Sequence, residues 1–175
     1  TAEELTRIVF SYSVTFWLGL LALGGLSLAV SPPPPVLAPA TSALLRPAGW
    51  LLLAVPLIYL AATAVRRTPL RFHSFEFPLP APRIAAGQLL ISAVDWTLAG
   101  TVLYALLPPG KPTFLFFLGA FLSAILLGMV SHVPGGVGVF EGLMVLLLKP
   151  YYGSGELLPA LVVFRMVYYL SLIHI

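Results

Sequence analysis

Cysteine is absent from these 175 residues and charge is scarce, with lysine and arginine together at 9 and aspartate and glutamate at 6. Without cysteine there are no disulfides, no thiolate metal sites and no cysteine nucleophile. Three scattered histidines do not make up the ligand set that a metal centre needs, so neither a metal nor another cofactor is expected. Charged residues are 9% of the chain, against about 25% in ordinary soluble domains, which is too few to coat a water-facing surface. The net charge of +3 decides nothing until the charges are assigned to sides of a membrane, and no nucleic-acid partner is expected.

Apolar residues fill the space that charge leaves, at 59% of the chain with a mean hydropathy of +1.02. That composition describes an integral membrane protein, an all-α polytopic helix bundle with room for about five or six spans of ~20 residues. Residues 1–175 read as a single transmembrane domain with no soluble domain. The chain opens at Thr1 without a methionine, and Glu3, Glu4 and Arg7 do not resemble a signal peptide. It reads as a piece of a longer protein. Residues 171–175 fit poorly as a natural helix end.

The apolar segments cover about 8–30, 49–65, 84–107, 114–130, 137–148 and 157–170. The run Ser31-Pro32-Pro33-Pro34-Pro35 ends the first, because consecutive prolines favour extended backbone. Pro108-Pro109-Gly110 ends the third. Trp50 sits like an interfacial anchor at the start of the second. The piece from Val137 to Leu148 has only 12 residues. As a helix it is ~18 Å long, against a hydrocarbon core of about 30 Å. A broken or re-entrant helix is therefore expected after residue 130. The connection between the second and third segments carries Arg66, Arg67, Arg71 and Arg83 against a single Glu76. The positive-inside rule puts that 66–83 loop, and with it the N-terminus, in the cytoplasm. These arginines also suit the anionic headgroups of the inner leaflet.

The break itself reads Ser131-His132-Val133-Pro134-Gly135-Gly136-Val137-Gly138-Val139-Phe140-Glu141-Gly142. Lipid offers no hydrogen bonds to stray backbone groups, so a broken backbone at membrane depth is buried in protein or lines a wet cavity. Gly135, Gly136 and Gly138 supply positive φ or close backbone approach, and amides freed at such a break can bind an anion at a helix N-terminus. Glu141 follows by one turn, either as a cap-like carboxylate favoured by the helix dipole or as an acceptor for an amine. His132 reads first as a neutral hydrogen-bonding residue between helices, with a proton carrier as the alternative.

Two further charges lie at mid-segment. Asp95 is ten residues from either Ala85 or Ala105, and Arg165 is near the middle of the last segment. An isolated charge at that depth costs about 2.5–3.5 kcal/mol on insertion scales. Opposite charges at similar depth suggest a pair or two walls of one polar cavity, with Glu141 a second candidate partner for Arg165. A static ion pair holding helices together fits equally well. The alternative is an arginine fork that meets a lipid phosphate. Ala120, Ala124 and Gly128, like Gly138 and Gly142, have the spacing of helix-packing stripes.

The run from His132 to Glu141 closely resembles the signature of the bacterial lysylphosphatidylglycerol synthetase/flippase transmembrane family. Thr15-Phe16-Trp17-Leu18-Gly19 with Gly24-Gly25, Asp95-Trp96, and Arg165-Met166-Val167-Tyr168-Tyr169 are similar to the same family in the same order. The likeness runs from about Phe10 to Leu170. It implies a multi-pass inner-membrane domain that moves aminoacylated phosphatidylglycerol between leaflets, which makes the surface less negative and repels cationic antimicrobial peptides. The chemistry of the residues fits that role, with a headgroup site expected at Asp95, His132, Pro134, Gly135, Gly136, Gly138, Glu141 and Arg165. Anionic or aminoacylated phospholipid, a fused or associated lipid aminoacyltransferase, and further copies of the chain are the partners that the likeness brings. Nothing in the chain resembles the transferase, so no lipid synthesis is expected from it alone. Two other readings stay open: a transporter of another polar or lipid-linked solute, and a membrane scaffold that docks a synthase.

Overall fold

The computed structural model describes residues 2–65, 70–72, 75–77 and 80–173. Among these it places six α-helices: α1 (Ala2–Val30), α2 (Pro39–Val65), α3 (Pro82–Leu106), α4 (Phe114–Val130), α5 (Val139–Leu148) and α6 (Ser154–Ile173). The fold is an all-α membrane helix bundle. Stretches of α1, α2 and α3 (Ser11–Val30, Pro39–Val65 and Pro82–Leu106) are long and apolar enough to cross a membrane, whereas α4 and α5 are short apolar helices. Between α2 and α3 runs a two-stranded antiparallel ribbon, β1 (Leu70–Phe72) with β2 (Phe75–Phe77), in which Leu70 pairs with Phe77. Arg66 and Arg67 of that connection lie outside the described residues.

Helix α2 begins at Pro39, well before the apolar run that starts at Gly49. A proline at a helix start costs nothing, because its missing N–H is one that has no intrahelical acceptor anyway. Pro47 and Pro56 lie inside the same helix, and Pro56 is fully buried. Internal prolines are tolerated in membrane helices where neighbours re-satisfy the freed carbonyls.

Small residues set how closely the helices approach. Gly25 of α1 faces Gly49 and Leu53 of α2, while Gly49 faces Ala29, so the two helices run antiparallel. A Cβ built on Gly49 would lie 2.5 Å from the Ala29 nitrogen, so the backbones are in contact there. On the α3 side, the Gly19 N–H donates to Ser92 Oγ at 3.1 Å, and Trp96 Nε1 donates to the Phe16 carbonyl at 3.2 Å. On the α4 side, Ser27 Oγ donates to the Leu115 carbonyl at 2.7 Å. A Cβ on Gly119 would fall 1.9 Å from that hydroxyl. Gly119→Ala is therefore expected to push α1 off α4 at a loss of ~1–3 kcal/mol, read as a lower melting temperature of the purified protein in detergent. Adding Ser27→Gly should restore part of that loss, because the atom in the way is gone.

Helix α4 is the centre of the core. Phe117 and Phe121 are fully buried, and Phe121 meets Phe140 of α5 and Phe164 of α6 edge to face at 5.9 Å and 5.7 Å. Ala120, Ala124 and Gly128 are buried along it, whereas Gly142 of α5 has nothing within 4 Å of a built Cβ. Helix α5 runs back along α4. Its end brings Tyr151 beside Phe116, at the start of α4, and Tyr152 donates to the Pro108 carbonyl just past α3. The turn of this hairpin lies beside Phe16 and Trp96, which sit midway along α1 and α3. The backbone break is thus at mid-depth in the bundle.

Candidate functional site: a broken hairpin held by an arginine

The hairpin turn is built from left-handed residues. His132 has φ 56°, Gly135 64°, Gly136 60° and Gly138 84°. Three of the four are glycines, for which this region carries no steric penalty. Pro134 opens a single 3-10 turn, closed by the Gly136 N–H donating to the Val133 carbonyl at 2.8 Å. Gly136 is required twice over, since a Cβ there would also sit 3.1 Å from the Gly128 Cα. Gly138 then starts α5 as its N-cap, and the Glu141 carboxylate reaches back to accept the Gly138 N–H at 2.7 Å. This is the carboxylate half of a capping box. The helix dipole favours the acid in the same place.

Arg165 on α6 closes the structure. Its Nε donates to Glu141 Oε1, and its Nη2 donates to Glu141 Oε2 at 3.1 Å. Its Nη1 donates to the Gly135 carbonyl at 2.8 Å, and Nη2 also reaches the Gly136 carbonyl at 3.1 Å. The guanidinium lies 5.5 Å from the centre of the Phe140 ring. Relative exposures of the two side chains are 18% for Arg165 and 17% for Glu141, so the pair is largely desolvated. A planar fork of five N–H donors suits this task, because it can serve a carboxylate and two carbonyls together.

A half-open cavity of about 270 Å³ lies against this cluster. Its walls are mainly aromatic and apolar, with Phe16, Trp96, Phe140, Phe164 and Tyr168 contributed by α1, α3, α5 and α6. Among the described residues Arg165 is the one charged side chain in the lining, and Gly128, Gly135 and Gly136 add backbone. Of the predicted site residues, the structure brings Gly135, Gly136 and Arg165 to the wall and Glu141 onto Arg165. His132, Pro134 and Gly138 are exposed and outside the lining.

One expectation is corrected. Asp95 does not pair with Arg165. It is exposed and has no hydrogen bond or ion pair among the described residues. Helix α3 turns Ser92 and Trp96 inward against α1, and a residue next to Trp96 lies about 100° around the helix from it. Part of the loop's amide set is used within the turn: the N–H groups of Gly136, Val137 and Gly138 donate to Val133, Pro134 and Glu141, and the loop presents the Gly135 and Gly136 carbonyls to the arginine. The aromatic walls are the functional candidates that the sequence reading missed. The one local signal for them is the i, i+4 spacing of Phe164 and Tyr168 around Arg165. Among the described residues, no three His, Asp or Glu side chains converge as a metal site would require.

Comparison with known proteins adds the family. The family model described as Lysylphosphatidylglycerol synthase TM region matches residues 1–175. The chain belongs to that family. Similar proteins include the Synechocystis protein slr0712, 36% identical over 173 residues, covering 97% of this chain and 53% of that protein. The inner membrane protein YbhN of Escherichia coli is 31% identical over 172 residues, covering 95% of this chain and 53% of its own length. A phosphatidylglycerol lysyltransferase of Staphylococcus epidermidis is 43% identical over 83 residues, which is 46% of this chain and 10% of the enzyme. Within the lysylphosphatidylglycerol synthase TM-region family, this chain spans about half the length of the curated relatives it matches most fully.

Proposed function

We propose that this domain carries aminoacylated phosphatidylglycerol, such as lysyl-phosphatidylglycerol, between the leaflets of a bacterial inner membrane and thereby contributes to resistance against cationic antimicrobial peptides. The observation that carries the proposal is a desolvated Arg165–Glu141 pair, fixed to broken backbone at mid-depth on the wall of an aromatic cavity. Family membership supports the choice of lipid. The headgroup has a phosphate and amines, and the pair offers one complement to each. In the proposed step the phosphate replaces Glu141 at the guanidinium fork, and the released carboxylate takes the ammonium. No charge is left unpaired at depth, where an isolated one is expensive. A cavity of 270 Å³ is at the small end for ligand sites, so the headgroup enters while acyl chains stay in lipid. Transporters elsewhere use broken helices at a mid-membrane site in the same physical way. The α2–α3 connection and the N-terminus are assigned to the cytoplasmic side by the arginine count. No aminoacyl transfer is assigned to these residues.

The test is leaflet-resolved lysyl-phosphatidylglycerol in cells that make the intact protein, or its Glu141→Gln or Arg165→Ala versions, at matched expression. The outer-leaflet pool should fall about tenfold with total lipid unchanged, as expected for one lost charge-assisted contact of ~1.4 kcal/mol in the rate-limiting complex. An unchanged distribution in both variants would sink the proposal. The second reading, a membrane scaffold for a lipid-modifying synthase, is favoured by one observation: Arg165 and Glu141 already serve each other and the loop. A scaffold tolerates neutral substitutes at both positions as long as the hairpin folds.

A further inference from the structure

The structure assigns a second role to α3, apart from the cavity: we propose that its outer face, centred on Asp95, is the docking surface for another transmembrane helix, distinct from this chain's own α3, that presents a basic side chain at mid-depth. The face is continuous. Ile91, Val94, Leu98 and Val102 are all exposed, with Ile91 at 67% and Leu98 at 60%. In hydrocarbon such an apolar stripe needs no partner, because lipid tails are as apolar as leucine. Asp95 changes that. It stands midway along the helix in the middle of this stripe, exposed, with no hydrogen bond or ion pair among the described residues. A carboxylate at the centre of a membrane helix faces a bundle interior or a partner, not acyl chains.

Charge complementarity selects the occupant. The cations nearest in sequence are Arg83, at the start of α3, and Lys111, beyond its end. Twelve or more residues of helix put Arg83 ~18 Å from Asp95. Lys111 donates to the Tyr104 and Ala105 carbonyls. Arg165 is engaged by Glu141 and the loop. A second copy docked on the same face would bring two Asp95 carboxylates together, which like-charge repulsion at low dielectric opposes. A helix of different sequence with an arginine, lysine or histidine at the matching depth satisfies the carboxylate instead.

The test places the photocrosslinking residue p-benzoylphenylalanine at Leu98, and separately at Ile91, in the intact protein in native membranes. Crosslinked peptides are then identified by mass spectrometry. The expected product is a peptide from a different helix with a basic residue within about one turn of the crosslinked position. Its yield should fall at least about fivefold in Asp95→Lys, equivalent to ~1 kcal/mol, and return when the partner's basic residue is changed to glutamate. Because Asp95 is exposed and has no hydrogen bond or ion pair among the described residues, Asp95→Leu should elute as a folded protein on size exclusion and give the same loss. Peptides from α3 of a second copy, adducts with lipid alone, or a crosslink indifferent to Asp95→Lys would each overturn the proposal.

Discussion

Arg165→Ala is expected to lower stability by about 3 kcal/mol, the lower end for removing one partner of a buried ion pair, since both side chains keep some exposure. The loss has two separable parts. Glu141 is left as a largely buried carboxylate with only the Gly138 N–H for compensation, and the Gly135 and Gly136 carbonyls lose their donor. Glu141→Gln should cost less, because an amide oxygen still accepts from the guanidinium while the loop carbonyls keep theirs. The double variant Arg165→Met with Glu141→Gln tests the partition. Removing both charges should recover most of the first part, yet leave the protein ~1–2 kcal/mol short, because the carbonyl of the buried Gly136 is left unpaired and an apolar side chain does not repair it. Arg165→Lys should fall between, since an ammonium has three donors and no planar fork. Thermal unfolding in detergent, run on all four proteins, reads these differences. Full recovery in the double variant would mean that the arginine serves the carboxylate alone.

The order of that series was not legible in the sequence, although its members were. Glu141 and Arg165 stood out as charges in apolar surroundings, and the proline and glycines ahead of Glu141 announced a break. What one dimension carries is depth along a helix. It does not carry which face of the helix meets which neighbour. Asp95 and Glu141 were therefore rival partners for Arg165, and only the packing of Ser92 and Trp96 on α1 turns Asp95 outward. The same gap hid the cavity, whose walls come from residues as far apart as Phe16 and Tyr168.

Peptide-plane direction was the other blind spot. The glycines at 135, 136 and 138 were read as a source of free amides, whereas the N–H groups of Gly136 and Gly138 are used within the turn and the carbonyls of Gly135 and Gly136 meet the arginine. Helix α2 was foreshortened for a related reason. Only its apolar run from residue 49 was read, whereas the helix begins at Pro39 and carries Pro47 within it. The apolar spans themselves were plain, because hydrocarbon forces the backbone into helix and leaves long uncharged runs as the trace.

Two of the turn glycines are expected to differ sharply, and the difference isolates what the break is for. Gly138→Ala meets only the left-handed penalty, ~1–2 kcal/mol, because nothing lies within 4 Å of a Cβ there. Gly136→Ala meets the same penalty and, in addition, drives its methyl against the Gly128 Cα at 3.1 Å. With ~1–3 kcal/mol for that overpacking, it should be the more damaging of the two. Asparagine separates the two contributions, since it tolerates left-handed backbone. Gly138→Asn should regain much of the alanine loss, and Gly136→Asn should not. The contact is also asymmetric. A Cβ on Gly128 lies 3.6 Å from the Gly136 Cα, an ordinary van der Waals distance, so Gly128→Ala should be nearly neutral. Melting temperatures across these variants test the geometry, and leaflet-resolved lipid measurements on the same set test its use. If Gly136 is needed to hold its carbonyl on Arg165, then Gly136→Ala should lose translocation along with stability, while Gly128→Ala keeps both.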